Sequence, residues 1–309
     1  MDFSKKRFVV TGGAGFLGRH VCQKLVEFGA NNANIFVPRS QEYDLRSIHA
    51  CRQIMKEGDV VIHLAAKVGG LWSHINKQAD FFYDNAMMSL NMVHAAHLAR
   101  VDKFVGLGTV CEYPDDIAIP FLEEQLWAGY PSTITAPYGL GKKIMLVAGD
   151  AYNAQYSLNA IHLLMINLYG PGDDFDPATS HAVPALIRRA IEAKNIGQDH
   201  IEVWGDGRAS RELLYVEDAA EAIVLATARY NKTRPVNIGS GIEIPIKKLA
   251  ELVCQKVGFE GKIKWDDSRV GGQLRRQLNV ELAEKEFGFT AKTSFEVGLQ
   301  KTIDWYLAS

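Results

Sequence analysis

Several large classes of protein announce themselves by features that this sequence lacks. Its four cysteines, Cys22, Cys51, Cys111 and Cys254, lie far apart and include no Cys-x-x-Cys pair. Neither a disulfide framework nor a zinc site is expected, no metal is implied, and a reducing cytoplasm is the natural home. Lysine and arginine (34) nearly balance aspartate and glutamate (36), for a net charge of -2. No basic face is therefore expected for nucleic acid. No apolar run approaches the length of a membrane span, and MDFSKKRFVV at the amino terminus enters a strand pattern with no signal-like apolar region. A membrane partner is not expected. Internal repeats and low-complexity segments are missing too.

What is present is an alternating rhythm. RFVVTGG reads as a strand, FLGRHVCQKLVEFGA as a helix, ANIFVP as a strand, and IHACRQIMKEG as a helix. DVVIHLAA and KFVGLGT are strands on either side of a long amphipathic helix, FFYDNAMMSLNMVHAAHLARV. YGLGKKIMLVAGDAYNAQYS is a further helix and NAIHLLMIN a fifth strand. Strands apolar on both faces and separated by helices indicate an α/β fold with a doubly wound, Rossmann-type parallel sheet. After Asn167 the rhythm changes to a turn-rich loop, LYGPGDDFDPATSH, and then to a smaller α/β lobe. A chain of 309 residues, 47% hydrophobic, is long enough for two lobes. The expected division gives residues 1–166, with about 212–240, to a dinucleotide-binding lobe. Residues 167–211 and 241–309 form the second.

TGGAGFLG, Thr11 to Gly18, lies between the first strand and the first helix. Gly13, Gly15 and Gly18 fit G-x-G-x-x-G, and Gly12, Gly15 and Gly18 fit the looser G-x-x-G-x-x-G. Small residues there let the backbone approach a pyrophosphate, while the helix amino terminus offers free N–H groups. The second strand ends in Arg39 and Ser40, where an NAD enzyme usually carries an acid. A cation and a hydroxyl suit a 2′-phosphate, so NADP(H) is favoured.

In PYGLGK, Tyr138 and Lys142 stand one helical turn apart on the same face. A cation there would lower the tyrosine pKa, although an ordinary surface pair has the same spacing. Thr109 ends the fourth strand, at the edge where open α/β sheets bind ligands.

The Thr109, Tyr138 and Lys142 set, with the TGxxGxxG turn, resembles the extended branch of the short-chain dehydrogenase/reductase superfamily over the whole chain. Cys111 and His181 narrow the likeness to GDP-L-fucose synthases, the GDP-4-keto-6-deoxymannose epimerase-reductases. KVGG (Lys67 to Gly70), NLYGPGD (Asn167 to Asp173), SHAVPALIRR (Ser180 to Arg189), VWGDGRASREL (Val203 to Leu213) and GQLRRQLN (Gly272 to Asn279) match in order. The resemblance implies an enzyme that epimerises C3 and C5 of a GDP-linked keto-sugar and reduces C4 with NADPH. It implies that Cys111 removes α-protons, His181 returns them, Tyr138 protonates the C4 oxygen, Lys142 supports Tyr138, and Thr109 orients the carbonyl.

For the cofactor the resemblance implies Gly12, Gly13, Ala14, Gly15, Phe16, Leu17 and Gly18 at the turn, then Arg39, Asp44 and Leu45. Leu64, Ala65, Ala66 and Lys67 follow the third strand, and Leu107 and Gly108 lie on the fourth. Met165, Asn167 and Leu168 follow, with Tyr138, Lys142 and His181 completing the set. For the nucleotide sugar it implies Thr109, Val110, Arg189, Trp204, Arg211 and Arg276. It also implies a homodimer that packs the helices near 80–100 and 138–156 into a four-helix bundle. Gly139 and Gly141 are expected to keep a helix face slim beside the cofactor.

The likeness has gaps. Thr109 replaces the more usual serine, Gly271 stands where an acid is often found, and LWSHIN replaces an asparagine-containing segment, which places bulky Trp72 beside the sugar. A reductase or single-site epimerase of another nucleotide-linked keto-sugar, such as a deoxyheptose, stays open. So does a non-catalytic NADP-binding regulator, against which the complete Thr/Tyr/Lys set argues.

Overall fold

A computed structural model of the chain describes residues 1–177, 179–268 and 273–309. Gly271 and Gly272 lie outside the described residues. In chain order the elements begin β1 (Phe8–Thr11), α1 (Phe16–Glu27), β2 (Ile35–Phe36), α2 (Ile48–Gln53), β3 (Val60–His63), α3 (Leu71–Asn76) and α4 (Gln78–Leu98). Then come β4 (Lys103–Thr109), α5 (Ala136–Tyr156), β5 (Ala160–Met165), β6 (Asn167–Tyr169), α6 (Ala182–Asn195), β7 (His200–Trp204) and β8 (Ser210–Tyr215). The chain closes with α7 (Val216–Arg229), β9 (Val236–Ile238), β10 (Glu243–Pro245), α8 (Ile246–Val257), β11 (Lys262–Asp266), α9 (Glu281–Phe287) and α10 (Phe295–Ala308).

Every residue of β1, β3 and β5 is buried, as a sheet covered on both faces requires. Among the described residues these strands belong to a six-stranded sheet in the order β2-β1-β3-β4-β5-β9. All its pairings are parallel, with Phe8 opposite both Ile35 and Val60 and with Val105 opposite Ile161. The chain leaves β1 towards β2 and returns on its other side at β3. The direction of winding thus reverses at the carboxyl ends of β1 and β3, and a crevice opens at such a point. α4 and α5 pack together over one face, and α1 and α7 over the other.

β6, β8 and β10 form a second sheet, and β7 and β11 a parallel pair. α6, α8 and α10 supply a separate apolar cluster built on Leu186, Ile187, Leu249, Val253 and Leu299. β8 joins the two cores by its period of two. Leu214 faces the main cluster, while Leu213 and Tyr215 face the second. In one place the packing differs from the expected division. Leu278, Ala283 and Phe287 sit in the main cluster, so α9 sides with α7 and β9 because its apolar face covers that end of the sheet.

Candidate active site

A cleft of about 1360 Å³ opens over the carboxyl ends of β1, β3 and β4 and continues between the two clusters. Its floor is the glycine turn. Gly12 takes a left-handed conformation (φ 71°). A Cβ on Gly18 would stand 2.1 Å from the Gly12 carbonyl oxygen, so only glycine lets α1 begin this close to the turn. Gly15 caps α1 with no side-chain hydrogen bond, leaving the first N–H groups for an anionic ligand. Gly13 is turned inward, where a Cβ would strike Val37 at 2.8 Å, and it does not line the cleft. The remaining implied cofactor residues do.

Beyond β2, Arg39, Ser40 and Arg46 line the same wall. Asp44 is engaged by Arg46 at 2.8–2.9 Å, and Arg46 also reaches Asp84 at 3.1 Å. The local carboxylate is thus neutralised and the wall is left cationic, which fits a dinucleotide carrying a 2′-phosphate. Lys67 is bound to Asp84 at 2.7 Å.

At the end of β4 a short 3-10 turn carries Cys111 and Glu112, with Thr109 as its cap. The Thr109 side chain accepts from the Cys111 N–H at 3.3 Å, and Glu112 Oε1 accepts from the Thr109 N–H at 2.8 Å. The turn lies directly on α5. A Cβ on Gly139 would stand 2.0 Å from the Cys111 carbonyl oxygen, and one on Gly141 would stand 3.1 Å from Phe82 O of α4. These glycines therefore make room for protein backbone, not for a cofactor as the sequence suggests. Val110, expected at the substrate, is buried in the main core.

Tyr138 and Lys142 both line the cleft, with Lys142 only 2% exposed. The tyrosine's pKa does not fall as expected. Burial raises it, negative charge on Cys111 and on Glu112 adds to the rise, and a Thr109 hydrogen bond opposes it. Tyr138 therefore holds its proton near neutrality, as an acid for an alkoxide must. Burial pushes Lys142 down to about 8, with Glu112 opposing.

Opposite this pair, the Arg276 guanidinium lies 3.6 Å from Cys111 Sγ, where it can pair with negative charge on the sulfur. His181 caps α6 and faces the cleft. Burial lowers its pKa and Asp174 opposes the fall, so it enters as a neutral imidazole. Arg189 lies 5.5 Å over the Trp204 ring and donates to Glu202 O at 3.0 Å. Arg211 is pushed down to about 10 by burial and by the like charge of Arg276. An anion between those two guanidinium groups would relieve their repulsion.

Two groups escape the sequence reading, one on the cleft wall and one buried behind it. Trp72, expected beside the sugar, is 57% exposed and does not line the cleft. Its neighbour His74 does, with its ring 5.4 Å from that of Tyr138 and 4.5 Å from that of Phe81. Burial, with His181 and Arg276 nearby, holds His74 down to about 4. The departure of LWSHIN from its expected pattern was the available signal. The second is Glu112, for which the sequence offers only its place between Cys111 and Tyr113.

Residues 8–239 match the NAD dependent epimerase/dehydratase family. The chain belongs to that family. Within it, the chain is 37% identical to a GDP-L-fucose synthase of Sinorhizobium fredii, across 98% of this chain and 96% of that protein. It is 38% identical to GDP-L-fucose synthase 1 of Arabidopsis thaliana, across 99% and 94%. Among solved structures, a GDP-D-glycero-L-gluco-heptose synthase from Campylobacter jejuni, obtained in the presence of NADPH, superposes with a TM-score of 0.88. That match has 26% identity and covers 99% of each chain. The two GDP-L-fucose synthases are thus matched over nearly their whole length, and the match extends beyond residue 239 into the segment that carries Arg276.

Proposed function

We propose that the chain catalyses NADPH-dependent 3,5-epimerisation and 4-reduction of a GDP-4-keto-6-deoxy sugar, giving GDP-L-fucose or a close relative. The observation that carries this reading is convergence. The Cys111 thiol, the Tyr138 phenol and the His181 imidazole stand on the walls of one cleft whose floor is the glycine turn.

In such a sugar the C3 and C5 protons are α to the C4 ketone, so a base can remove them and leave an enolate. Cys111 takes each proton as thiolate, paired with Arg276. Thr109 and Tyr138 face the oxygen on which charge develops. His181, once it has taken up a proton from solvent, delivers one from the opposite face, and exchange with solvent resets both groups between the two inversions. NADPH, when bound, supplies the hydride to C4. Tyr138 then gives its proton to the C4 oxygen, and charged Lys142 stabilises the phenolate left behind. Arg39 and Ser40 take the 2′-phosphate and α1 the pyrophosphate. Arg189, Arg211 and Trp204 hold the nucleotide diphosphate.

Two lobes divide the work. Residues 1–166 with about 212–240, joined by α9, hold the cofactor, and the remainder holds the nucleotide sugar. Phe82, Tyr83, Leu90, Val147 and Tyr156 are exposed on α4 and α5, which supports a homodimer through these helices. Four unpaired cysteines suit a reducing cytoplasm.

A second reading, reduction or single epimerisation of another GDP-linked keto-sugar such as a heptose, is favoured by His74 at the cleft wall and by the heptose synthase likeness. One experiment separates the two. Purified protein, NADPH and GDP-4-keto-6-deoxymannose are incubated in deuterated water. Solvent deuterium at both C3 and C5 of the reduced product is expected, and label at neither position would sink the epimerase reading.

A further inference from the structure

Glu112 has no part in the reaction derived above, yet it is completely buried (0% exposed) beneath the catalytic turn. A carboxylate is expensive to bury unless its oxygens find partners, and here both do. Oε1 accepts from the Thr109 N–H at 2.8 Å, and His162 on β5 brings Nε2 to 3.0 Å from Oε2. The pair fills the space behind β4 so tightly that a Cβ on Gly108 would stand 2.2 Å from His162 Nε2 and 2.5 Å from Glu112 Oε1. The same residue's backbone carbonyl accepts from Lys143 at 3.3 Å.

Lys142 is the other buried charge nearby. The charged and titratable groups that act on it are His63 on β3 and Glu112 on the turn. That turn packs against α5 so closely that a Cβ on Gly139 would stand 3.2 Å from Glu112 N. Tyr138 and Lys143 are the lysine's neighbours on its own helix. His63 is held far below its usual range by burial and by Lys142, so it is neutral. Glu112 is the carboxylate that opposes the cost of burying the lysine.

We propose that Glu112, held by His162, is a positioning residue with two tasks. It fixes the turn that presents Thr109 and Cys111, and it is the counter-charge that keeps Lys142 cationic beside Tyr138. This rests on the NADPH-dependent reading, in which Lys142 must be charged to stabilise the phenolate.

The sign of the test follows. A lysine loses its charge as pH rises through its pKa, here about 8. Removing a nearby negative charge moves that loss to lower pH. NADPH binding (cofactor fluorescence) and steady-state turnover are measured from pH 6 to 9.5 for the wild type, Glu112→Gln and Glu112→Asp. Gln keeps an acceptor for the Thr109 N–H but not the charge.

At pH 6.5 the three proteins are expected to bind NADPH within about twofold of one another. The alkaline fall in binding and in kcat should begin at least about half a pH unit lower in Glu112→Gln. At pH 7.5 a half-unit displacement from about 8 takes the charged fraction of Lys142 from about three quarters to about one half, so kcat should fall by at least about 1.5-fold with KM nearly unchanged. Glu112→Asp, which keeps the charge, should keep the wild-type alkaline limb. Superimposable pH profiles for Glu112→Gln and the wild type would overturn the proposal. A limb displaced in Glu112→Asp as far as expected for Gln would assign the effect to packing and overturn it too, even if the Gln variant did not fold. A wild-type protein that binds no NADPH at any pH would overturn this proposal and the functional reading together.

Discussion

Replacing Gly139 by alanine tests how the turn that carries Cys111 is built. In an open helix the change is favourable by about 1 kcal/mol, because alanine is the better helix former. Here the new methyl would stand 2.0 Å from the Cys111 carbonyl oxygen and 2.7 Å from its carbonyl carbon, whereas ordinary contact begins at 3.4 Å. Both atoms are backbone, so no rotamer change relieves the clash. The turn and α5 must separate by more than an ångström. Overpacking of this kind costs about 1–3 kcal/mol, which outweighs the propensity gain. A displacement of about 1 Å at reacting groups lowers rates about 100-fold. The expected result is a lower melting temperature and solvent-deuterium exchange into the keto-sugar slowed about 100-fold. Gly149→Ala in the same helix is the control, since its methyl would meet only Ala160 Cβ at 3.3 Å. It should be near neutral in both assays. Wild-type melting and exchange in Gly139→Ala would refute the close-approach argument.

Tyr138→Phe should abolish ketone reduction while NADPH affinity, followed by fluorescence, stays within about twofold. Retained turnover would remove Tyr138 from its role. Lys103 is fully buried and bonds the Ala226, Thr227 and Tyr230 carbonyls and Asn231 Oδ1 around the carboxyl end of α7. Lys103→Met strands those acceptors and should cost about 3 kcal/mol in chemical denaturation, without changing KM. Glu212, 1% exposed, is pushed from 4.5 up to about 7, chiefly by burial. The native state therefore keeps this proton to a higher pH than the unfolded chain, so its contribution to stability falls as pH rises from about 4.5 to 7. Glu212→Gln should remove that slope, worth at most about 3 kcal/mol, when unfolding is compared at pH 5 and pH 8.

The sequence is most legible where function depends on residues close in the chain. The strand, glycine turn and helix from Phe8 to Glu27 are one local motif, and Tyr138 and Lys142 are one helical turn apart. Both survive in the structure because backbone geometry alone fixes them. β8 escapes notice because successive side chains serve two different cores, which erases the polar–apolar alternation of a half-buried strand. The reason for Gly139 is equally hidden, because its neighbour in space is the carbonyl of Cys111 on a different element. Arg276 meets Cys111 across 165 positions and His162 meets Glu112 across 50, separations that no periodicity encodes. The direction of the Tyr138 shift is illegible for a related reason. Spacing reports which charges are near, while burial, here the larger effect, depends on the whole fold.

In the proposed reaction, binding and chemistry draw on one set of charges. Arg211 and Arg276 repel each other in a partly buried site, and Arg276 also faces the Cys111 sulfur. A diphosphate settling against Arg211 would reduce that repulsion and leave Arg276 to pair with the thiolate. Substrate binding and thiolate stabilisation would then be coupled through one guanidinium. A keto-sugar bearing the nucleotide should therefore be deprotonated faster than the free sugar at saturation, with a gain in kcat and not only in KM. Exchange of the α-protons of the free keto-sugar with solvent at the same kcat would remove Arg276 from that coupling.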